Sequence, residues 1–129
     1  MLKKEITYVD YNDTTRTEAF YFNLSKAELA EMQLSANGGL ETYIKNIVEA
    51  KDGASMVQIF KDLILKSYGE KSPDGKRFVK SKEISDGFAQ TEAYSQLFME
   101  LITDDTSAAD FINGIMPKDI QEELKKEAN

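Results

Sequence analysis

The 129-residue chain reads as an α+β domain, mostly α-helical, with an N-terminal β-hairpin followed by a bundle of about five to six helices. Three observations predict this. Residues 5–23 alternate in β-branched and aromatic side chains around a polar break, whereas from Leu24 onward apolar residues recur at helical spacing. The stretch from Ala54 to Leu101 supplies a frame for the rest: one strongly apolar helix, a turn-rich loop and a second amphipathic helix. With no internal repeat and no linker rich in Gly and Pro, residues 1–129 are expected to form one domain, large enough to bury a core without staples. Within it, 1–23 is the hairpin, 24–116 the helical core and 117–129 a polar C-terminal helix.

Glu5 to Tyr11 and Thr15 to Asn23 are the two strands, joined by Asn12-Asp13-Thr14. A hairpin is marginal by itself, so one face must lie on the helices or the sheet must continue into a neighbouring subunit, which keeps a homo-oligomer open. Ser25 is an N-cap with Glu28 three residues on, a capping-box pattern, and Leu29, Met32 and Leu34 form the inner face of the first helix. Ala36-Asn37-Gly38-Gly39 stops it, and Leu40, Tyr43, Ile44, Ile47 and Val48 give the next stripe, ending near Asp52-Gly53.

The central helix follows. At about 100° of rotation per residue, Met56, Val57, Ile59, Phe60, Leu63, Ile64 and Tyr68 fall on one arc, and Gln58, Lys61, Asp62 and Lys66 on the other. Leu65 is the exception, a large apolar residue in the polar arc. Gly69 fits the left-handed position that ends a helix, and Pro73-Asp74-Gly75 fits a tight turn. Ser81, Glu83, Ile84 and Phe88 read as a short helix. Thr91 caps the next, whose stripe is Ala93, Tyr94, Leu97, Phe98, Leu101 and Ile102, with Met99 at its border. Thr103 to Thr106 makes a break, Ser107 to Ile115 another short helix, and Pro117 opens the last, in which Ile120 and Leu124 are the apolar anchors.

Sixteen Lys and Arg against 23 Asp and Glu, a net charge of -7, argue against a nucleic-acid partner, whose phosphates need cationic contacts. The chain has no cysteine and no histidine, which removes disulfides, thiolate chemistry, imidazole bases and nearly all transition-metal sites. Met1-Leu2-Lys3-Lys4-Glu5 is not followed by an apolar signal core, and no run reaches the roughly 18 apolar residues of a membrane span. A cytoplasmic protein without membrane contact is the expectation.

No motif carries catalysis. The segment from Gly69 to Lys76 has five residues between its glycines where a phosphate-binding loop has four, and Arg77 stands where that loop needs Ser or Thr. Asp10 to Asp13 could open a calcium loop, but Tyr21 occupies the last ligand place and the required glycine is missing. Asp104-Asp105 and Glu122-Glu123 are adjacent carboxylates without a partner that would tune them, and Ser67, Ser72 and Ser95 have no histidine to activate them. Neither an enzyme nor a cofactor is expected.

Residues 60–72, 74–78 and 90–101, continuing through Ala108-Ala109-Asp110-Phe111-Ile112-Asn113-Gly114-Ile115-Met116-Pro117, resemble a small protein of long-tailed, siphovirus-type bacteriophages and prophages of Gram-positive bacteria, the tail assembly chaperone. The resemblance covers roughly the second half of the chain and marks core and turn positions. It implies a non-catalytic factor in the host cytoplasm. Such a factor binds the long tape-measure protein, keeps it soluble, helps recruit tail-tube subunits and is absent from the finished virion. An acidic chain with an exposable apolar face suits a holder of a long amphipathic helix. The residues proposed for that contact are Leu65, Met99, Ile120 and Leu124. The rival is a structural virion part, of head–tail connector or tail-completion type, that oligomerises through its β-hairpin.

Overall fold

The N-terminal alternation forms two eight-residue antiparallel strands, β1 (Leu2–Val9) and β2 (Thr15–Phe22), in a computed structural model that describes residues 1–32 and 53–122. β1 starts at Leu2 rather than at Glu5 because Leu2 is paired with Phe22 and packs beside Gly114, where an added Cβ would lie 3.0 Å from it. The turn expected at Asn12-Asp13-Thr14 is closed by Asp10, whose Oδ1 accepts from the N–H groups of Asn12 (2.8 Å) and Thr14 (3.0 Å). Asp13 takes the left-handed conformation at φ 60°, which a short polar side chain tolerates. These bonds give Asp10 a structural task in place of the calcium-loop alternative.

The hairpin does not stand alone. Helix α2 (Gly53–Ser67) stops at Ser67, and the next residues form a strand, β3 (Tyr68–Lys71), which pairs with β2 and with β4 (Phe78–Val79). The sheet has four strands in the order β1-β2-β3-β4. This corrects two expectations. Tyr68 is not on the central helix but in β3, half-buried, and Gly69 is a strand residue rather than a left-handed helix end. The turn at Pro73-Asp74-Gly75 does form, inside this second hairpin, with Gly75 at φ 73° and its N–H donating to the Ser72 carbonyl (2.9 Å).

Helix α1 (Lys26–Glu31) begins with the expected capping box, Ser25 accepting from the Glu28 N–H and Glu28 from the Ser25 N–H. Ser81 and Thr91 cap α3 (Lys82–Ala89) and α4 (Glu92–Thr103). The break expected over Thr103–Thr106 shrinks to one residue. Asp104 ends α4 and caps α5 (Asp105–Ile115), which therefore starts before Ser107, because its carboxylate accepts from the N–H groups of Thr106 and Ser107. The chain is helical again from 118 to 122. Leu34, the stop at Ala36–Gly39, the stripe from Leu40 to Val48, and Leu124 lie outside the described residues.

Helices pack on one face of the sheet. From β1 that face receives Leu2, Lys4, Ile6 and Tyr8, and from β2 Phe20 and Phe22. Phe60, Leu63 and Ile64 of α2 meet Leu97 and Leu101 of α4 and Phe111, Ile112 and Ile115 of α5 in one buried cluster. Val57, expected in the inner arc, is 44% exposed: it lies at the rim of the arc that centres on Phe60 and Leu63. Where the second hairpin meets the helices, Tyr68 and Phe88 stack with ring centroids 4.1 Å apart, and Phe22 sets its edge against Phe88 and Phe111.

Candidate protein-binding surface

Helix α4 crosses β1 with Ala93, Leu97 and Leu101 turned into the core. Met99, two residues from Leu97 and hence roughly 200° around the helix, comes out on the opposite side and is 50% exposed. It lines a groove of about 330 Å³ between α4 and β1, together with Gln96, Glu100 and Thr103 of the helix and Lys4 to Thr7 of the strand. The groove is tied across by Lys4, whose Nζ lies 2.6 Å from Glu100 Oε2, an oxygen otherwise closed off from solvent. The Thr103 hydroxyl donates back to the Met99 carbonyl (2.6 Å), which keeps that side chain on the helix's own backbone.

The other proposed contact residues stand elsewhere. Leu65 does not line this groove; it is half-buried against the core, and the Ser85 hydroxyl of α3 donates to its carbonyl (2.9 Å). Its place in the polar arc did not leave it in water because α3 folds back over the end of α2. Ile120 also packs against the core, and its turn is fastened by Gln121 Nε2 donating to the Met116 carbonyl (2.7 Å) and by the Lys26–Asp119 ion pair (2.5 Å). Sequence reading missed the hairpin tip, where Val9 is 50% and Tyr11 74% exposed. The sequence reads both as strand formers, and alternation along a strand does not say which side chains the helices will cover.

A second hollow, of about 440 Å³, opens where β3 leaves β2 to pair with β4, between Glu18–Tyr21 and Tyr68–Lys71. Its walls carry Glu18 and Glu70, and Lys71 Nζ sits 4.4 Å over the Tyr21 ring. The shifted ionisations are scattered and each has a local cause. Arg16 and the Thr14 N–H hold Asp10 down, the Ser107 hydroxyl and N–H hold Asp104 down, and burial raises the phenols of Tyr68 and Tyr94. Among the described residues no three carboxylates gather into a metal-binding group, and no described helix is long and apolar enough to cross a membrane. What the surface offers is contact area.

The family model for phage tail assembly chaperones matches residues 1–129, the full length. The chain belongs to this family. No curated protein and no solved structure gives a match. A tail assembly chaperone acts in building a phage tail, and membership points to a non-catalytic protein whose partners are phage tail proteins. The resemblance read from the second half of the sequence thus extends through the N-terminal hairpin as well.

Proposed function

We propose that this tail assembly chaperone holds apolar helical segments of the tape-measure protein, keeps them soluble, and helps recruit tail-tube subunits. It then leaves, so that it stays in the cytoplasm and is missing from the finished virion, in a siphovirus-type phage of a Gram-positive host. The observation that carries the reading is the family match over the whole chain. The groove beside Met99 supports where the contact is made. An unbranched, polarizable side chain with half of its surface free, at the rim of a groove, adapts to the varied residues of a long helical partner. Leu65 and Ile120 spend their apolar surface mainly on the core, which makes Met99 the leading contact of the described candidates.

The test is co-expression with a tape-measure fragment. Met99→Asp should leave the chaperone folded, since the position is exposed, while the fragment falls out of solution. Recovery of the complex at wild-type yield would remove Met99 from the contact.

A further inference from the structure

The sheet ends on β1. One side of this strand is taken by β2, and among the described residues nothing pairs with the other. An unpaired edge of eight residues is a template for another strand. Its direction can be read from the hairpin: Asp10 N–H donates to the Thr14 carbonyl (2.9 Å) and Val9 pairs with Thr15. Even-numbered residues of β1 therefore turn their N–H and C=O toward β2. Lys3, Glu5, Thr7 and Val9 turn theirs to the free edge.

The side chains at this edge identify what fits it. Antiparallel self-pairing must set odd residues opposite odd ones, which keeps the helices of both copies on the same face. Centred on Lys4, it places Lys3 opposite Glu5 of the second copy, and Glu5 opposite Lys3 of the second copy, on the solvent face. On the helix face it sets Leu2 opposite Ile6 in both directions. The two Lys4 ammonium groups meet at the axis, but each already has its own Glu100 at 2.6 Å, so the axis carries two cations and two anions. Centring on Glu5 would oppose two carboxylates, and centring on Ile6 would set Lys3 against Val9 and Glu5 against Thr7, with no charge pair. The edge is complementary to itself in one register.

We propose that two copies of the chain pair antiparallel along their β1 edges about a twofold axis at Lys4, joining their sheets into one. Sedimentation equilibrium of the full chain tests this. The wild type should be a dimer. Lys3→Glu and Glu5→Lys should each raise the dimer dissociation constant by about tenfold, because each converts two attractive cross-strand pairs into repulsive ones. Glu5→Lys should do so although it makes the chain less acidic, which separates pairing from net-charge repulsion. An equimolar mixture of the two variants should dimerise as strongly as the wild type, since each supplies the charge the other lacks. Both positions are exposed on the outer face, so far-UV circular dichroism of the variants should match the wild type. A monomeric wild type, including one that accepts a strand only from an added tape-measure fragment, would overturn the proposal. So would variants that dimerise like the wild type, or a mixture no stronger than its components.

Discussion

Gly69 is where the absence of a side chain matters most. A Cβ built there would lie 2.7 Å from Cε2 of Phe78, so the ring of β4 packs on bare backbone. Gly75 is glycine for another reason, its φ of 73° in the turn, and the space around it is open. Gly69→Ala should therefore destabilise by about 1–3 kcal/mol through overpacking, read as a lower thermal midpoint, as Phe78 is pushed off its seat. An unchanged midpoint would show that the Phe78 ring gives way freely. Ser67 is another residue whose role is local. Its side chain is fully buried and its hydroxyl donates to the Leu63 carbonyl (2.6 Å), so no hydrogen bond is lost on burial.

The elements are joined by their ends. The Asn23 N–H donates to the Ser67 carbonyl and the Leu24 N–H to the Ile115 carbonyl, both at 2.8 Å, so the link from β2 to α1 closes the C-termini of α2 and α5. The turn from 118 to 122 is fastened in the same manner, by Gln121 on the Met116 carbonyl and Ile120 on the core. Ending the chain after Pro117 should lower stability by about 1–2 kcal/mol, the worth of burying part of one isoleucine and closing one helix end. Cooperative unfolding should persist, because α2, α4 and α5 keep their shared core. A broad, non-cooperative melt followed by circular dichroism would mean that the C-terminal segment is part of that core.

Across the whole molecule, Lys80 ties distant parts together. From the link between β4 and α3, its Nζ donates to the Asn23 carbonyl (2.6 Å) and to Glu28 of the α1 capping box (2.5 Å). Burial, the largest single influence on Glu28, raises its pKa, but Lys80 and the Ser25 N–H together outweigh it and hold the carboxyl below its ordinary value. A carboxyl lowered on folding contributes stability that is fully present above the unfolded pKa of about 4.3 and is lost as pH falls through the lower folded value. Denaturation midpoints of Glu28→Gln should thus fall less steeply than those of the wild type below about pH 4.3. Equal slopes would mean that the other carboxylates with lowered pKa values, Asp10, Asp74, Asp104 and Asp119, carry the acid sensitivity instead.

What the sequence determined by itself is whatever depends on neighbours along the chain. Caps at Ser25 and Thr91, the turn at Asn12–Thr14 and the inward stripe of α4 all follow from bonds or spacings within a few residues, and they stand where the sequence puts them. Met99, read at the border of its stripe, stands about 200° from Leu97 and faces outward, a separation that helical spacing alone gives. Tertiary structure alone decided the rest. β3 and β4 are four and two residues long, too short for a period to show, and exist because β2 had a second edge to fill. That edge drew Tyr68 off the helical arc and made Gly69 a seat for Phe78. Leu65, polar-facing by periodicity, was covered once α3 turned back over α2, because periodicity gives the direction of a side chain and not what will later lie in front of it.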